Sequence, residues 1–189
     1  MDSRELINRY NAGERDFSGV DLTGASLAYV NLYKISLRDA CLARASLGGA
    51  DLRGADLRGV DFSGAVLNRA SLACADLQGA SLNGASLREA DLYRADLTNA
   101  SLNDADLHEA DLRETSLDNA SLERTSLKEA DLREASASEA NLMASSLIGA
   151  NLQKTSLDSA NLERADLGNT DLAQTNLIHA TMPDGTVWE

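Results

Sequence analysis

From Phe17 to Met182 a large apolar residue recurs at every fifth position, over 34 consecutive sites without insertion or deletion. Leu holds 30 of the 34, and Phe17, Phe62, Ala137 and Met182 hold the rest. The position two before each site is most often Ala, and the position between them is Asp, Asn or Ser in 31 of the 34 units. A period of five suits neither regular element. Five helical residues rotate the next Leu by about 140°, and five strand residues turn it to the opposite face. One straight helix or strand is therefore excluded. The pattern closes if Ala and Leu point the same way from a short extended segment and the chain turns before the next unit aims its own pair at the same axis. This predicts a coil with an apolar bore, narrowed by Ala and filled by Leu. Asp, Asn or Ser then faces outward, where a short polar side chain bonds nearby backbone.

The runs A-D-L-R-G-A-D-L-R-G at 50–59 and A-D-L-H-E-A-D-L-R-E at 105–114 resemble the pentapeptide-repeat proteins, whose motif is A-[DNS]-L-x-x, and the resemblance covers most of the chain. It implies an all-β solenoid, a right-handed quadrilateral β-helix with four units and about 20 residues per coil, so that residues one coil apart stack. With stacked strands ~4.8 Å apart, about 8.5 coils make a rod ~40 Å long. The expected organisation is an N-terminal capping helix over 1–15, the β-helix over 16–182 and a C-terminal cap over 183–189.

At the N-terminus Asp2 and Glu5 have N-cap spacing, and Leu6, Ile7 and Tyr10 make one apolar face before Gly13. A helix there covers the open backbone of the first coil. The segment L-I-N-R-Y-N-A-G-E-R-D-F resembles the cap of cyanobacterial members of the family, including those that influence heterocyst differentiation. At the other end M-P-D-G-T resembles the tails of the same relatives, and Trp188 is expected to cover the last coil. The tail does not resemble the longer dimerisation module of the members that protect gyrase from quinolones. With both ends capped, a monomer is expected.

Corner positions such as Gly24, Gly54 and Gly79 suit a type II turn with positive φ at its third residue. Beyond Glu89 the corner is mostly Glu, Arg, Asp, Asn or Lys, so other turn conformations are expected there. Ala137 replaces Leu between Leu117 and Leu157, a loss that costs about 2–5 kcal/mol in a packed core unless neighbours collapse. Cys41 and Val66 occupy the outward polar site.

Aromatic content of 4% fits a linear core built from Leu and Ala. No apolar run spans a membrane and no apolar signal core stands at the N-terminus, so a cytoplasmic protein without membrane contact is expected. No nucleic acid is expected as a partner. Catalytic constellations are absent from the pattern: Ser occupies the polar slot of the repeat, without G-x-S-x-G, and His108 and His179 lie in separate repeats. Cys41 and Cys74 fall on different sides of the coil, which argues against a disulfide. Asp91, Asp111 and Asp131 form one acidic column and Glu89, Glu109 and Glu129 another, beside Arg88, His108 and Lys128. Flat rows of this kind do not converge as a calcium site requires. No enzyme, cofactor or metal is expected.

The reading that remains is a non-catalytic protein-protein interaction or scaffold module with a regulatory role, its protein partner unspecified. The alternative is a DNA mimic that inhibits or protects a type II topoisomerase. Duplex DNA carries one charge per about 1.7 Å, so a ~40 Å mimic should present roughly 24 negative charges, well above the net −13 left once 17 basic residues are set against the acidic ones. For the contact surface the candidates are Tyr33, Arg53, Tyr93, Arg113 and Arg133, one outward column by stacking, with Lys34 and Arg94 beside it. Tyr and Arg combine large area with directional donors. Arg113 and Arg133 could equally serve to neutralise the Asp column. Met143 and Ile148, exposed on adjoining faces, form a second candidate patch.

Overall fold

The computed structural model describes residues 1–189. The outward residue of each unit forms a parallel β-bridge with the residue 20 positions on, from Asp16 with Ser36 through to Asn161 with Thr181. Five-residue units and a 20-residue step give four units, and four sides, to each coil. Side one runs through Asp16, Asp56, Asp76 and Asp96. Side two runs through Asp21, Cys41 and Asp61, side three through Ser26, Val66 and Asp106, and side four through Asp51, Asp91, Asp111 and Asp131.

Backbone accounting explains why the unit has five residues. Leu52 N–H donates to Ser71 O at 2.7 Å and Gly54 N–H to Ala73 O at 3.0 Å, both in the next coil. Asp51 N–H donates back to Val30 O at 3.0 Å, and Ala55 N–H closes the corner on Leu52 O at 3.1 Å. The fifth donor, Arg53 N–H, goes to Asp51 Oδ1 at 3.2 Å. Every N–H of the unit thus has an acceptor, as a stacked coil with no solvent between layers requires. Asp or Asn recurs at the outward site because its carboxyl or amide oxygen reaches the N–H two residues on. Where the outward residue is Ser, as at Ser86, the residue after Leu in the preceding coil takes over: Asn68 Oδ1 accepts from Ser86 Oγ at 2.6 Å and from Arg88 N–H at 3.0 Å. Asn83, Asn103 and Asp118 repeat this exchange.

Leu and Ala side chains pack into one continuous core along the bore. Ala137 holds the register, its N–H bonded to Ser156 O at 2.8 Å, while the corner that follows is drawn out to 3.3 Å between Ala140 N–H and Ala137 O.

The corners differ from the sequence expectation. Gly24, Gly54 and Gly79 have φ of 67°, 64° and 65°, as type II turns need, but Glu89, Arg94, Glu114 and Glu139 beyond them stand at 56°, 57°, 56° and 58°. The residue before each keeps a negative φ, so these too are type II. Corner chemistry does not select the turn; stacking does. The corner N–H must meet the next coil, as Glu89 N–H meets His108 O at 2.9 Å, and coils on both sides hold the L-residue in a conformation costing it ~1–2 kcal/mol. Gln174 alone leaves the left-handed series between Gly19 and His179.

The two ends also differ from each other. Helix α1 (Ser3–Asn11) starts where Asp2 Oδ1 accepts from Glu5 N–H at 2.8 Å, and buries Leu6 and Tyr10 over the first coil. The Tyr10 hydroxyl donates to Tyr33 O at 2.9 Å. At the C-terminal end the chain turns back after Met182, and Val187 pairs antiparallel with Thr181 on side two. Trp188 bonds by its backbone, N–H to Ala180 O at 2.9 Å and O to His179 N–H at 2.9 Å, and its side chain stays 51% exposed. It does not cover the last coil, because the hairpin lies beside one side of the square and not across the bore. No helix is long and apolar enough to cross a membrane.

Candidate functional site

Side four brings the predicted column together, in two groups. Each Arg stands two residues after an outward Asp and clamps it with both arms. Arg53 reaches Asp51 at 2.8 and 2.7 Å, Arg113 reaches Asp111 at 2.8 and 2.6 Å, and Arg133 reaches Asp131 at 2.8 and 2.5 Å. The guanidinium groups also flank the rings, Arg53 5.9 Å from the Tyr33 centroid, Arg94 and Arg113 5.0 and 5.4 Å from that of Tyr93. Tyr93 donates its hydroxyl to Glu114 at 2.9 Å, and Arg94 bonds the other oxygen of that carboxylate at 2.7 Å. Ala73, with Gly54 and Cys74 at the corner, separates the group around Tyr33 from the group around Tyr93. Tyr93, Arg113, Glu114, Arg133 and Glu134 line a shallow depression.

Electrostatics fix this face in its charged form. Arg53 holds the Asp51 carboxyl below the usual carboxylate range, and Arg94 with Tyr93 does so for Glu114. Burial pushes Asp131 up, but the hydrogen bonds from Arg133 outweigh it and the net direction is down. The Glu114 contact pushes the Tyr93 phenol up. Arginine here neutralises the Asp column, and the same bonds immobilise long side chains over a pair of tyrosine rings.

The second candidate patch is weaker than the sequence suggests. Met143 and Ile148 are half-buried, not exposed, and stand on sides two and three across the corner at Ala144. Another feature went unread in the sequence. Tyr29, 86% exposed, lays its ring over Gly49, whose Cβ would meet it at 2.6 Å. The signal was a Gly48-Gly49 pair one coil after Ala28-Tyr29. Cys41 and Cys74 are both free, and Cys41 Sγ lies 3.1 Å from Thr23 Oγ1.

Stacked five-residue units with an apolar bore define a β-solenoid. The chain belongs to the pentapeptide repeat family, matching its description, Pentapeptide repeats, in 8 copies over residues 16–54, 50–88, 90–128, 105–142, 125–164 and 155–184. That family folds as right-handed β-helices and is generally non-catalytic. Among solved structures, the chain is 31% identical to HetL, a pentapeptide repeat protein involved in heterocyst differentiation regulation from the cyanobacterium Nostoc, over 100% of both chains with a TM-score of 0.42. It is 33% identical to a pentapeptide repeat protein of the Arabidopsis thaliana thylakoid lumen, over 55% of this chain and 69% of that one, with a TM-score of 0.39. The plasmid-mediated fluoroquinolone resistance protein QnrB1 is 17% identical over 89% of each chain, with a TM-score of 0.48. No curated protein matches the chain.

Proposed function

We propose that this protein is a non-catalytic scaffold that binds a protein partner through side four. The observation that carries the reading is preorganisation: Tyr33, Arg53, Tyr93, Arg113 and Arg133 are already held by carboxylates and by one another. Ordering a free Arg or Tyr at an interface costs about 0.5–1.5 kcal/mol per side chain, and here that ordering precedes binding. Tyr and Arg are also the residues that concentrate binding energy. The test compares partner capture by the native chain with capture by Tyr93→Ala combined with Arg113→Glu and Arg133→Glu, after circular dichroism has verified the fold. Loss of a specific captured protein supports side four; unchanged recovery removes it.

The topoisomerase reading draws on side one, where Asp76, Asp96, Asp118, Glu139 and Asp158 follow one another and the only cations, Arg38 and Arg58, sit at the N-terminal end. Arg38 and Arg58 pair with Asp56 there, and Arg58 also reaches Asp76 at 3.3 Å, so the carboxylates beyond Asp76 form the most acidic surface of the rod. A gyrase supercoiling assay separates the two: inhibition lost in Asp96→Asn with Asp118→Asn favours mimicry, and no inhibition favours the scaffold.

A further inference from the structure

We propose that the C-terminal end of the rod is a strand-accepting site for an extended, basic segment of a partner protein. In the earlier coils, Leu152 excepted, the N–H of Leu and of the corner residue bond the next coil, as Leu147 does to Asp166 O at 2.8 Å and Gly149 to Gly168 O at 2.9 Å. In the last coil the equivalent donors on sides three and four, on Leu167, Asn169, Leu172 and Gln174, have no acceptor. Residues 183–189 supply none, because after Met182 they turn back along side two. Leu167 and Leu172 consequently stay only partly buried at the mouth of the bore, although both pack on the core. The opposite end of the rod, sealed by Leu6 and Tyr10, shows what full closure looks like.

Side four is also loosened where the strand would enter. Lys154 N–H bonds Gln174 O at 3.0 Å, where the register of the other corners calls for residue 173, and Leu152 N–H is left without an acceptor. An unpaired edge with alternate pockets is the template for β-strand addition: main-chain bonds supply affinity and the pockets select side chains.

Charge selects the occupant. Asp166 and Asp171 face outward on the open sides and accept only the backbone N–H of Gly168 and Ala173, at 3.0 and 2.9 Å, with no cation paired to either. Elsewhere on side four the equivalent Asp51, Asp111 and Asp131 each carry an arginine, and Asp91, which carries none, accepts from the Ser71 hydroxyl at 3.1 Å as well as from backbone. A segment stacking in register would place its own outward residues directly below Asp166 and Asp171, so Lys or Arg there is favoured and Asp or Glu repelled. Its apolar residues, set at the five-residue spacing with small residues two before, would complete the bore over Leu167 and Leu172. A second copy of this chain meets the charge requirement poorly, since its end presents the same two aspartates.

The inference goes beyond the side-four reading and shares with it only the premise that the chain binds protein. The probe is the peptide Ala-Lys-Leu-Lys-Gly-Ala-Lys-Leu-Lys-Gly, with a scrambled peptide of the same composition and a version carrying Asp for its first and third Lys as controls. Calorimetry should give saturable binding for the first peptide alone. Amide exchange followed by NMR should slow at least tenfold at Leu167, Asn169, Leu172 and Gln174. Asp166→Asn with Asp171→Asn should weaken binding severalfold and reduce its salt dependence, whereas Arg113→Glu with Arg133→Glu should leave it unchanged. Absence of saturable binding, equal binding of the scrambled peptide, or protection elsewhere on the rod overturns the proposal. So does concentration-dependent dimerisation that protects the same four amides without peptide.

Discussion

Thr125 Oγ1 donates to the carbonyl oxygen of Leu102, 23 residues earlier, at 2.7 Å. Thr115 and Thr155 make the same bond, to Leu92 at 2.9 Å and to Leu132 at 2.7 Å. A hydroxyl is thereby tolerated at a buried Ala site, because its donor finds a carbonyl that faces the bore wall. Ser145 stands one coil after Thr125 in the same column, and its buried Oγ has no partner. Without the methyl of Thr, nothing holds the Ser hydroxyl toward Leu122.

Ser145→Thr should therefore stabilise the protein by about 1 kcal/mol, the worth of a new intramolecular hydrogen bond. Thr125→Ala should destabilise it by a similar amount. Urea denaturation reads both, as opposite shifts of the midpoint at constant slope. A destabilised Ser145→Thr would mean that the site cannot take the extra methyl.

Corner residues give a second pair of opposite signs. Gly79 has φ 65° with nothing within 4 Å of an added Cβ, so Gly79→Ala meets only the left-handed penalty and should cost about 1 kcal/mol. Glu139, at φ 58°, already bears that penalty. Glu139→Gly relieves it, offset in part by the greater freedom of unfolded glycine, and should stabilise by about 0.5 kcal/mol. Thermal melts of the two variants check the prediction.

Acid should unfold the rod only below the ordinary carboxylate range. Asp51, Asp56, Glu89, Glu114 and Asp131 all have folded-state pKa values lowered, mainly by arginine, and in Asp131 against opposing burial. A lowered folded pKa means that the stabilisation is present above the unfolded value and disappears as pH falls through the folded one. Melting temperature should hold steady from neutral pH down to about 4.5, then drop toward pH 2. All five groups keep some contact with solvent and Glu89 and Glu114 are exposed, so added salt should reduce the effect. Melts at fixed ionic strength across that range test it; a decline that begins near pH 6 would overturn it.

The fold was legible because one local rule, an apolar residue at every fifth position, repeats from Leu22 to Leu177 with only Phe62 and Ala137 in place of Leu, and the backbone bonds of the coils follow from it. Asp2 and Glu5 marked the helix start for the same reason, a local spacing with a local bond. What the sequence hid depends on neighbours one coil away. Nothing in Glu89 or Arg94 alone favours positive φ; the stacked N–H bonds impose it. The exchange between Asn68 and Ser86 is likewise visible only once residues about 20 apart are laid side by side. On side four the sequence placed Tyr93, Arg113 and Arg133 in one column, but whether each Arg faced a partner or its own Asp depended on side-chain geometry. The unsealed end was hidden because Trp188 suggests a plug, whereas the hairpin at Pro183-Asp184-Gly185 carries it to the side.

That placement yields the last prediction. Trp188 is the sole tryptophan and is half exposed, so its fluorescence reports on the C-terminal hairpin alone. Its emission should be water-like and readily quenched by acrylamide. The hairpin rests on a few bonds, Met182 N–H to Thr186 O at 2.7 Å and the pair between Trp188 and Ala180–His179, beside a coil that is itself unpaired on sides three and four and at Leu177. Segments with few buried contacts open at lower free energy than the core, and solenoids come apart from their weaker end. On heating, the Trp188 signal should change several degrees before the far-ultraviolet dichroism of the rod. Trp188→Ala should leave the main transition within about 0.5 kcal/mol of the native value, as a surface substitution does. Trp188→Pro, which removes the N–H bonded to Ala180, should advance the early transition and leave the main one in place. Coincident transitions in all three proteins would show that the hairpin is part of the cooperative core and that the end is sealed after all.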